Sequence, residues 1–183
     1  FEYKRPGVRP TTFESYEYLS RIHIKPTIGY ILLKDLRPEH LQSLYNSKLS
    51  TNDSKGISPK TIKNMHNVIH AALDQAVKNG LVIRNVSELA TLPRQIKKEM
   101  RVLTLEEQQK FIQTLDGERF RTALLLALAS GVREGELLGL KWSDVDFKNE
   151  TISINRTLRR TRTFDNAKER KSELMFQEPK TQA

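Results

Sequence analysis

The sequence predicts a mainly α-helical protein with a small antiparallel β part, arranged as two domains. Several stretches before residue 93 combine helix-start signals with apolar residues at helical spacing. After Trp142 the apolar residues alternate instead, as they do in a half-buried strand. Between the helical stretches, the segment from Arg94 to Arg101 is rich in charged and polar residues, which is typical of a linker.

The first predicted helix begins at Thr11, because Glu14 three residues later completes a capping-box pattern. Its inward-facing side chains follow at helical spacing: Phe13, Tyr16, Leu19 and either Ile22 or His23. We expect Pro26 and Gly29 to end this helix, since proline cannot continue the hydrogen-bonding pattern and glycine favours a carboxyl-terminal cap.

Two further helices have clear start signals. The second follows Arg37, with Pro38 in its first turn, and should extend to about Leu49 along the apolar stripe Leu41, Leu44, Tyr45 and Leu49. The third is capped by Ser58, with Pro59 at its first position, and is ended by Gly80. Its apolar face consists of Ile62, Met65, Ile69, Ala72, Leu73, Ala76 and Val77. A short fourth helix is predicted over 85–89.

The polar segment 94–101 is predicted to link a first domain, 1–93, to a second, 102–183. The second domain opens with another capping box, Thr104 with Glu107, on a helix whose apolar face is Phe111, Ile112 and Leu115. Further on, the alternating segment 151–155 is predicted to form a hairpin with 174–176. The intervening residues are predicted to form a long basic loop that contains Arg159, Arg160, Arg162, Lys168, Arg170 and Lys171.

An unusual arginine lies between two predicted helices of the second domain. The apolar run 123–129 predicts a helix buried on most sides, which Gly131 should end in a left-handed cap. A short helix then begins near Arg133 and should carry Leu137, Leu138 and Leu140 toward the core. A guanidinium at such a rigid corner suits a phosphate, whose oxygens match its planar set of donors. Alternatively, Arg133 pairs with Glu134 or Glu136 and only stabilises the corner.

Composition favours a polyanionic partner. The 183 residues carry a net charge of +9, and the isoelectric point is near 9.8. The absence of cysteine excludes disulfides and thiolate metal sites. No apolar stretch reaches the roughly 20 residues of a membrane span and no secretion signal opens the chain, so we expect a cytoplasmic protein without a membrane partner.

The start of the third helix is the best candidate for a DNA-binding face in the first domain. Free amides and the helix dipole favour a phosphate there, and polar side chains are concentrated at Ser58, Lys60, Thr61, Lys63 and Asn64. The alternative is a helix cap beside a solvated face. His66 and His70 are four residues apart, but no third ligand is near in sequence, so no metal site is predicted.

The segment Ser130-Gly-Val-Arg-Glu-Gly-Glu-Leu-Leu-Gly-Leu-Lys-Trp-Ser-Asp-Val-Asp146 resembles the first arginine motif of the tyrosine recombinases, the integrases of phages and conjugative transposons. Three upstream segments resemble the core-binding domain and the start of the catalytic domain: 11–16, 58–64 and 102–107. Near the end, Glu178-Pro-Lys-Thr181 resembles the turn that carries the family's catalytic lysine. The resemblance implies a helical, SAM-like core-binding domain followed by the amino-terminal half of an integrase catalytic domain.

The resemblance also implies a function. Arg133 would bind the scissile phosphate, Glu136 would support the site, and Lys180 would protonate the leaving 5′ oxygen. The two domains would close around double-stranded DNA, with the linker residues Lys97, Lys98 and Arg101 near its backbone. The complete enzyme would self-associate on DNA and would need no metal or other cofactor.

Two family features have no counterpart in the sequence. The four histidines form no His-x-x-Arg motif, and the five tyrosines all lie at or before Tyr45, far from where the family has its nucleophile. We therefore expect the chain to hold a truncated catalytic domain and to be inactive alone. Two alternatives remain open at this stage: a truncated integrase that binds DNA without cutting it, and a basic helical module whose partner is a protein.

Overall fold

The computed structural model describes residues 3, 5–49, 56–96, 99–165 and 169–179. The chain divides into two compact units, Phe1–Lys98 and Glu99–Ala183. The α-helices of the first unit are α1 (Pro10–Leu19), α2 (Lys25–Ile28), α3 (Pro38–Lys48) and α4 (Pro59–Lys78). Its 3-10 helices are Arg5–Gly7, Leu33–Asp35 and Val86–Leu89. Among the described residues, none of the helices combines the length and apolar content that crossing a bilayer requires.

The core of the first unit lies between α3 and α4. Their side chains that are shielded completely from solvent are Leu41, Leu44, Tyr45, Ile62 and Met65. The cluster is completed by Leu19, Ile69 and Leu73. The apolar stripes predicted for the second and third helices are thus largely confirmed. Ala72 is exposed, however, because it lies at the margin of the buried face of α4.

The first helix departs from its prediction at both ends. It begins at Pro10 with Arg9 at the cap position, so the predicted capping box at Thr11 is wrong. Pro26 does not end the helical path either, because a π-helical segment, Ser20–Ile24, joins α1 to α2. Proline has no amide hydrogen and its ring crowds the preceding turn, and the wider π turn accommodates both effects. Gly29 follows the last residue of α2, as predicted.

Among its described residues, the second unit contains three α-helices and two small sheets. The helices are α5 (Leu105–Thr114), α6 (Arg121–Ser130) and α7 (Glu134–Leu138), and a 3-10 turn spans Trp142–Asp144. The capping box of Thr104 and Glu107 is confirmed by reciprocal hydrogen bonds. Gly131 ends α6 in the left-handed conformation, with φ of 68°, also as predicted.

The prediction that α6 is buried on most sides is wrong. None of its side chains is fully buried, and Leu124 and Ala129 are exposed. Leu138 of α7 is exposed too, although the sequence placed it toward the core. The apolar side chains of α6 and α7 are therefore only partly covered by the other described residues of the second unit.

The strand pairing also differs from the prediction. Segment 151–155 contributes only β2 (Thr151–Ile152), which pairs antiparallel with β1 (Val145–Asp146). The partner of segment 174–176 lies in β3 (Thr157–Asp165), which pairs with β4 (Glu169–Gln177) in the register Leu158 opposite Phe176. The predicted basic loop is therefore largely a hairpin. Threonines at alternate positions of β3 favour a strand, and its arginines can extend from the sheet surface.

Candidate active site and nucleic-acid interface

Arg133 occupies the corner between α6 and α7. The chain leaves α6 through Gly131, whose amide donates to Ala127 O at 2.9 Å. Arg133 then takes the amino-terminal cap position of α7 with an extended backbone. Backbone hydrogen bonds from both neighbouring turns fix this corner, so the base of the Arg133 side chain is held in place.

The Arg133 side chain is paired with Glu136 and still accessible. Its Nη1 donates to Glu136 Oε1 at 2.8 Å, while its backbone amide donates to Glu136 Oε2 at 3.1 Å. The Glu136 side chain is only 10% exposed, whereas that of Arg133 is 64% exposed. Since a guanidinium has five N–H donors, the remaining ones can bind a phosphate. Pairing with Glu136 and phosphate binding are therefore compatible.

The same contacts keep Glu136 anionic. The hydrogen bond from the Arg133 guanidinium, followed by that from the Arg133 backbone amide, lowers the pKa of the Glu136 carboxyl. Desolvation opposes this shift but does not reverse it. A carboxylate that is charged at neutral pH fixes one edge of the guanidinium and leaves the other edge for a ligand.

Two glycines allow α7 to approach β3 closely. A β-carbon on Gly135 would collide with Thr157 Oγ1, and one on Gly139 would lie 3.0 Å from Arg156 O and 3.2 Å from Leu158 N. The four-residue spacing of the glycines places both on one side of the α7 turn. This close packing positions the helix that carries Arg133 and Glu136.

An ion pair reinforces the same junction. The Arg156 guanidinium donates to both carboxylate oxygens of Asp144, at 2.6 and 3.0 Å, and the Asp144 side chain is only 5% exposed. The Lys141 amide donates to Asp144 Oδ2 at 2.9 Å. That backbone hydrogen bond, with smaller contributions from Arg156 and Asn155, lowers the pKa of Asp144. The pair joins the turn after α7 to the start of β3.

These supporting residues were not predicted from the sequence. The spacing of Gly135 and Gly139 is a usable signal, because two glycines four residues apart in a short helix indicate a close neighbour on one face. The pairing of Asp144 with Arg156 has no such signal. These residues are brought together by a turn and a strand pairing that the sequence did not predict.

The predicted DNA-binding face at the start of α4 is exposed as expected. Ser58 Oγ accepts the Thr61 amide at 3.2 Å, which confirms the cap. Lys60, Lys63 and Asn64 are exposed on the side of the helix opposite the buried Ile62 and Met65. The geometry leaves this face free to contact a ligand, and its role in DNA binding stays a prediction.

The other predicted site residues are only partly described. Lys97, Lys98 and Lys180 lie outside the described residues. Arg101 is exposed, and its guanidinium forms an ion pair with Glu107, the residue that caps α5. A phosphate would therefore compete with Glu107 for Arg101.

The two histidines of α4 have different surroundings. His66 Nδ1 lies 3.1 Å from the Tyr45 hydroxyl, and burial raises the pKa of Tyr45 to about 12. Burial, followed by the charge of His70, lowers the pKa of His66. His66 therefore borders the core. His70 Nδ1 instead lies 3.1 Å from Asp74 Oδ2 at the surface.

Family models match both parts of the chain. The model described as the phage integrase N-terminal SAM-like domain matches residues 1–49. The model of the phage integrase family matches residues 101–177, which include the Arg133 corner and both strands of the hairpin. The chain belongs to the phage integrase family. The family that the sequence suggested is thereby confirmed.

Similar proteins support this membership along most or nearly all of this chain. A "Tyrosine recombinase XerC-like" protein of Caldanaerobacter subterraneus subsp. tengcongensis is 31% identical over 188 residues, which cover 99% of this chain and 47% of that protein. The chain thus spans about half the length of this curated relative. An "Integrase" of Saccharopolyspora erythraea is 29% identical over 154 residues, covering 83% of this chain and 34% of that protein.

The fold of this integrase chain is shared with a solved structure. The Tn1549 transposon integrase in complex with a circular intermediate DNA matches with a TM-score of 0.77 at 23% identity, over 98% of this chain and 55% of that one. The mainly α-helical fold with small antiparallel sheets is therefore that of an integrase.

Proposed function

We propose that this chain is part of a site-specific DNA recombinase. In this proposal it binds duplex DNA, and the complete protein cleaves and rejoins strands through a phosphotyrosyl intermediate. The observation that carries the proposal is the Arg133 corner, where an exposed guanidinium is anchored by the buried carboxylate of Glu136. Such an arrangement holds a cation rigidly where a phosphodiester can reach it.

Each residue has a distinct part in the proposed chemistry. Arg133 offsets the charge that develops on the phosphate oxygens, and Glu136 orients Arg133. Lys180 donates a proton to the leaving 5′ oxygen. The nucleophilic tyrosine forms a phosphotyrosyl bond, which conserves the energy needed for religation. Because no tyrosine of this chain lies after Tyr45, that nucleophile comes from outside the sequence given, and this chain alone should not cut DNA.

The proposed partner is double-stranded DNA at a recombination site. The first domain, 1–93, binds DNA through the start of α4, and the linker 94–101 contributes Lys97, Lys98 and Arg101 to the backbone. Support comes from the net charge of +9 and from the exposed face of Lys60, Lys63 and Asn64. We further propose that the complete integrase acts in the cytoplasm of its host cell and self-associates on DNA.

The binding part of this proposal can be tested by a salt titration. Fluorescence anisotropy with a labelled duplex should show an affinity that falls steeply as salt rises, because phosphate contacts release counterions. A Lys60→Ala/Lys63→Ala double variant should reduce the slope of log K against log salt by roughly two. Lys78→Ala, which removes an exposed lysine at the opposite end of α4, is the matched control and should leave the slope unchanged. Failure to bind any duplex at low salt would contradict the proposal.

The cleavage part needs a separate experiment. A nicked suicide substrate traps a covalent protein–DNA adduct whenever the tyrosine attacks. The chain as given should yield no protein-linked band on a denaturing gel, whereas a recombinase with the complete catalytic domain should yield one. An adduct formed by this chain alone would show that its active site has been misassigned.

A further inference from the structure

Three potential metal ligands meet at the surface of the first unit. His70 and Asp74 lie one turn apart on α4, and Glu88 lies on the 3-10 helix Val86–Leu89. One donor atom from each residue lies within 4.8 Å of the other two. The sequence did not reveal this group, because the third donor is contributed by a separate element that the fold brings against α4.

The separation of the first two donors suits a shared ion. His70 Nδ1 and Asp74 Oδ2 are 3.1 Å apart. Two ligands that each lie about 2.0–2.1 Å from a Zn²⁺ ion in tetrahedral geometry are themselves roughly 3.3 Å apart. A bound ion would therefore replace the direct contact between these atoms with little movement of either side chain.

A buried carboxamide outside the group contacts the side chain of one member and the backbone of another. Asn85 is only 6% exposed, and its Nδ2 donates to Asp74 Oδ1 at 2.6 Å and to His70 O at 3.1 Å. Its Oδ1 accepts from the amide and the hydroxyl of Ser87, at 3.1 and 2.6 Å. Asn85 thus anchors one oxygen of Asp74 and leaves the other toward His70. It also fixes the start of the 3-10 helix that carries Glu88. Such outer contacts are typical of metal sites.

We propose that His70, Asp74 and Glu88 form a binding site for a divalent transition-metal ion of the Zn²⁺ type. One imidazole nitrogen and two carboxylates are suitable ligands for Zn²⁺, and water from solvent would complete the coordination. The side chains of His70 and Asp74 are 37% and 41% exposed and Glu88 is exposed, so an ion can enter from solvent. A bound ion would join the 3-10 helix to α4.

This inference rests on the fold of the first unit and is independent of the proposed recombinase function. It also distinguishes the two histidines of α4. His66 has its Nδ1 directed at Tyr45 and does not belong to the group, whereas His70 has its Nδ1 directed at the carboxylates.

Isothermal titration of the tag-free, chelator-treated chain with ZnCl₂ alone tests the proposal. We expect saturable binding near one ion per chain, a higher midpoint of thermal unfolding with Zn²⁺, and at least a tenfold weaker affinity for both His70→Ala and Glu88→Gln. Glu88→Gln is the most informative variant, because it replaces a charged carboxylate ligand with a neutral carboxamide of nearly the same size. His40→Ala, which removes a histidine of α3 outside the group, is the control and should bind like the parent chain.

NMR gives the site-specific result. Zn²⁺ should shift the imidazole ¹⁵N signals of His70 much more than those of His40. Absence of saturable binding at millimolar Zn²⁺ would overturn the proposal. So would equal affinity in the parent chain and in a folded Glu88→Gln variant, and His70 and Asp74 would then form only an ordinary ion pair.

Discussion

Arg156 and Asp144 form a two-pronged ion pair in the second unit, with N–O distances of 2.6 and 3.0 Å. The carboxylate is buried and also accepts the Lys141 amide, so it joins the turn after α7 to the residue just before β3. The glycines of α7 contact the same part of β3. The position of the Arg133 corner relative to the hairpin therefore depends on a residue pair that does not itself contact the proposed phosphate.

Arg156→Ala should destabilise the second unit clearly, because it leaves the buried Asp144 carboxylate without its cationic partner. We expect the thermal midpoint followed by fluorescence of Trp142, the sole tryptophan and the first residue of the Asp144 turn, to fall by at least about 5 °C. Arg121→Ala is the control, since the pair of Arg121 with Asp116 is exposed and should matter little. Equal effects of the two substitutions would contradict this role for Arg156.

Glu136 should make the stability of the second unit depend on acidity. Its folded-state pKa lies below the ordinary value of 4.5, chiefly because of the Arg133 hydrogen bond. The stabilisation is therefore fully present above about pH 4.5 and is lost as the pH falls through the folded-state pKa. The free energy of unfolding can be measured by urea denaturation from neutral pH to about pH 3. It should fall less steeply with decreasing pH in Glu136→Gln than in the parent chain. Glu134→Gln, which changes an exposed neighbour, serves as the control. If Glu136→Gln lost stability at low pH as steeply as the parent chain, the lowered pKa of Glu136 would be contradicted.

Gly139→Ala should destabilise the second unit by about 1–3 kcal/mol, because its β-carbon would press on backbone atoms of Arg156 and Leu158, which cannot move independently of β3. Gly7→Ala is a suitable control, since a β-carbon at Gly7 would meet no atom within 4 Å. The change in the free energy of unfolding can be measured by urea denaturation. A neutral effect of Gly139→Ala would show that the contact between α7 and β3 relaxes easily.

The helices of the first unit could be predicted because their signals are local. Ser58 caps α4 and the buried side chains recur at helical spacing, so both the start and the buried face follow from neighbouring residues. The start of α1 could not be predicted correctly because two start signals lie side by side. Thr11 fits a capping box, and Pro10 fits the first turn of a helix; the helix begins at Pro10.

The second unit was harder to predict because its contacts are non-local. The basic composition of the segment from Arg159 to Lys171 favours a loop, yet its described residues pair across a hairpin. Strand pairing depends on partners many residues apart, and charge does not prevent it. Arg133 and Glu136 could be recognised because they lie three positions apart in one segment that resembles a family motif, whereas Asp144 and Arg156 could not.

Hydrogen exchange should differ between α4 and α6. Side chains of α4 are buried along its whole length, from Ile62 to Ala76, whereas none of α6 is fully buried. Opening of α6 therefore exposes less additional apolar surface and should cost less free energy. Mass spectrometry of deuterated peptides should show amides of α6 exchanging at least tenfold faster than those in the centre of α4. Equal protection in a strictly monomeric sample would contradict this expectation, whereas protection that rises with protein concentration would indicate that a second copy covers α6.

Arg133→Ala should separate binding from chemistry in a recombinase with the complete catalytic domain. Loss of one phosphate contact among many should change duplex affinity by less than about tenfold, because numerous phosphate contacts share the binding energy. Strand cleavage should nevertheless become undetectable, since the charge that develops on the scissile phosphate loses its rigid counter-charge.

Arg133→Lys is the informative companion. A lysine keeps the charge but cannot hold Glu136 and a phosphate with one planar group, so most of the cleavage rate should still be lost. Single-turnover cleavage of a suicide substrate and anisotropy on the same duplex supply the two measurements. Cleavage by Arg133→Ala at a rate near that of the parent enzyme would remove Arg133 from the active site.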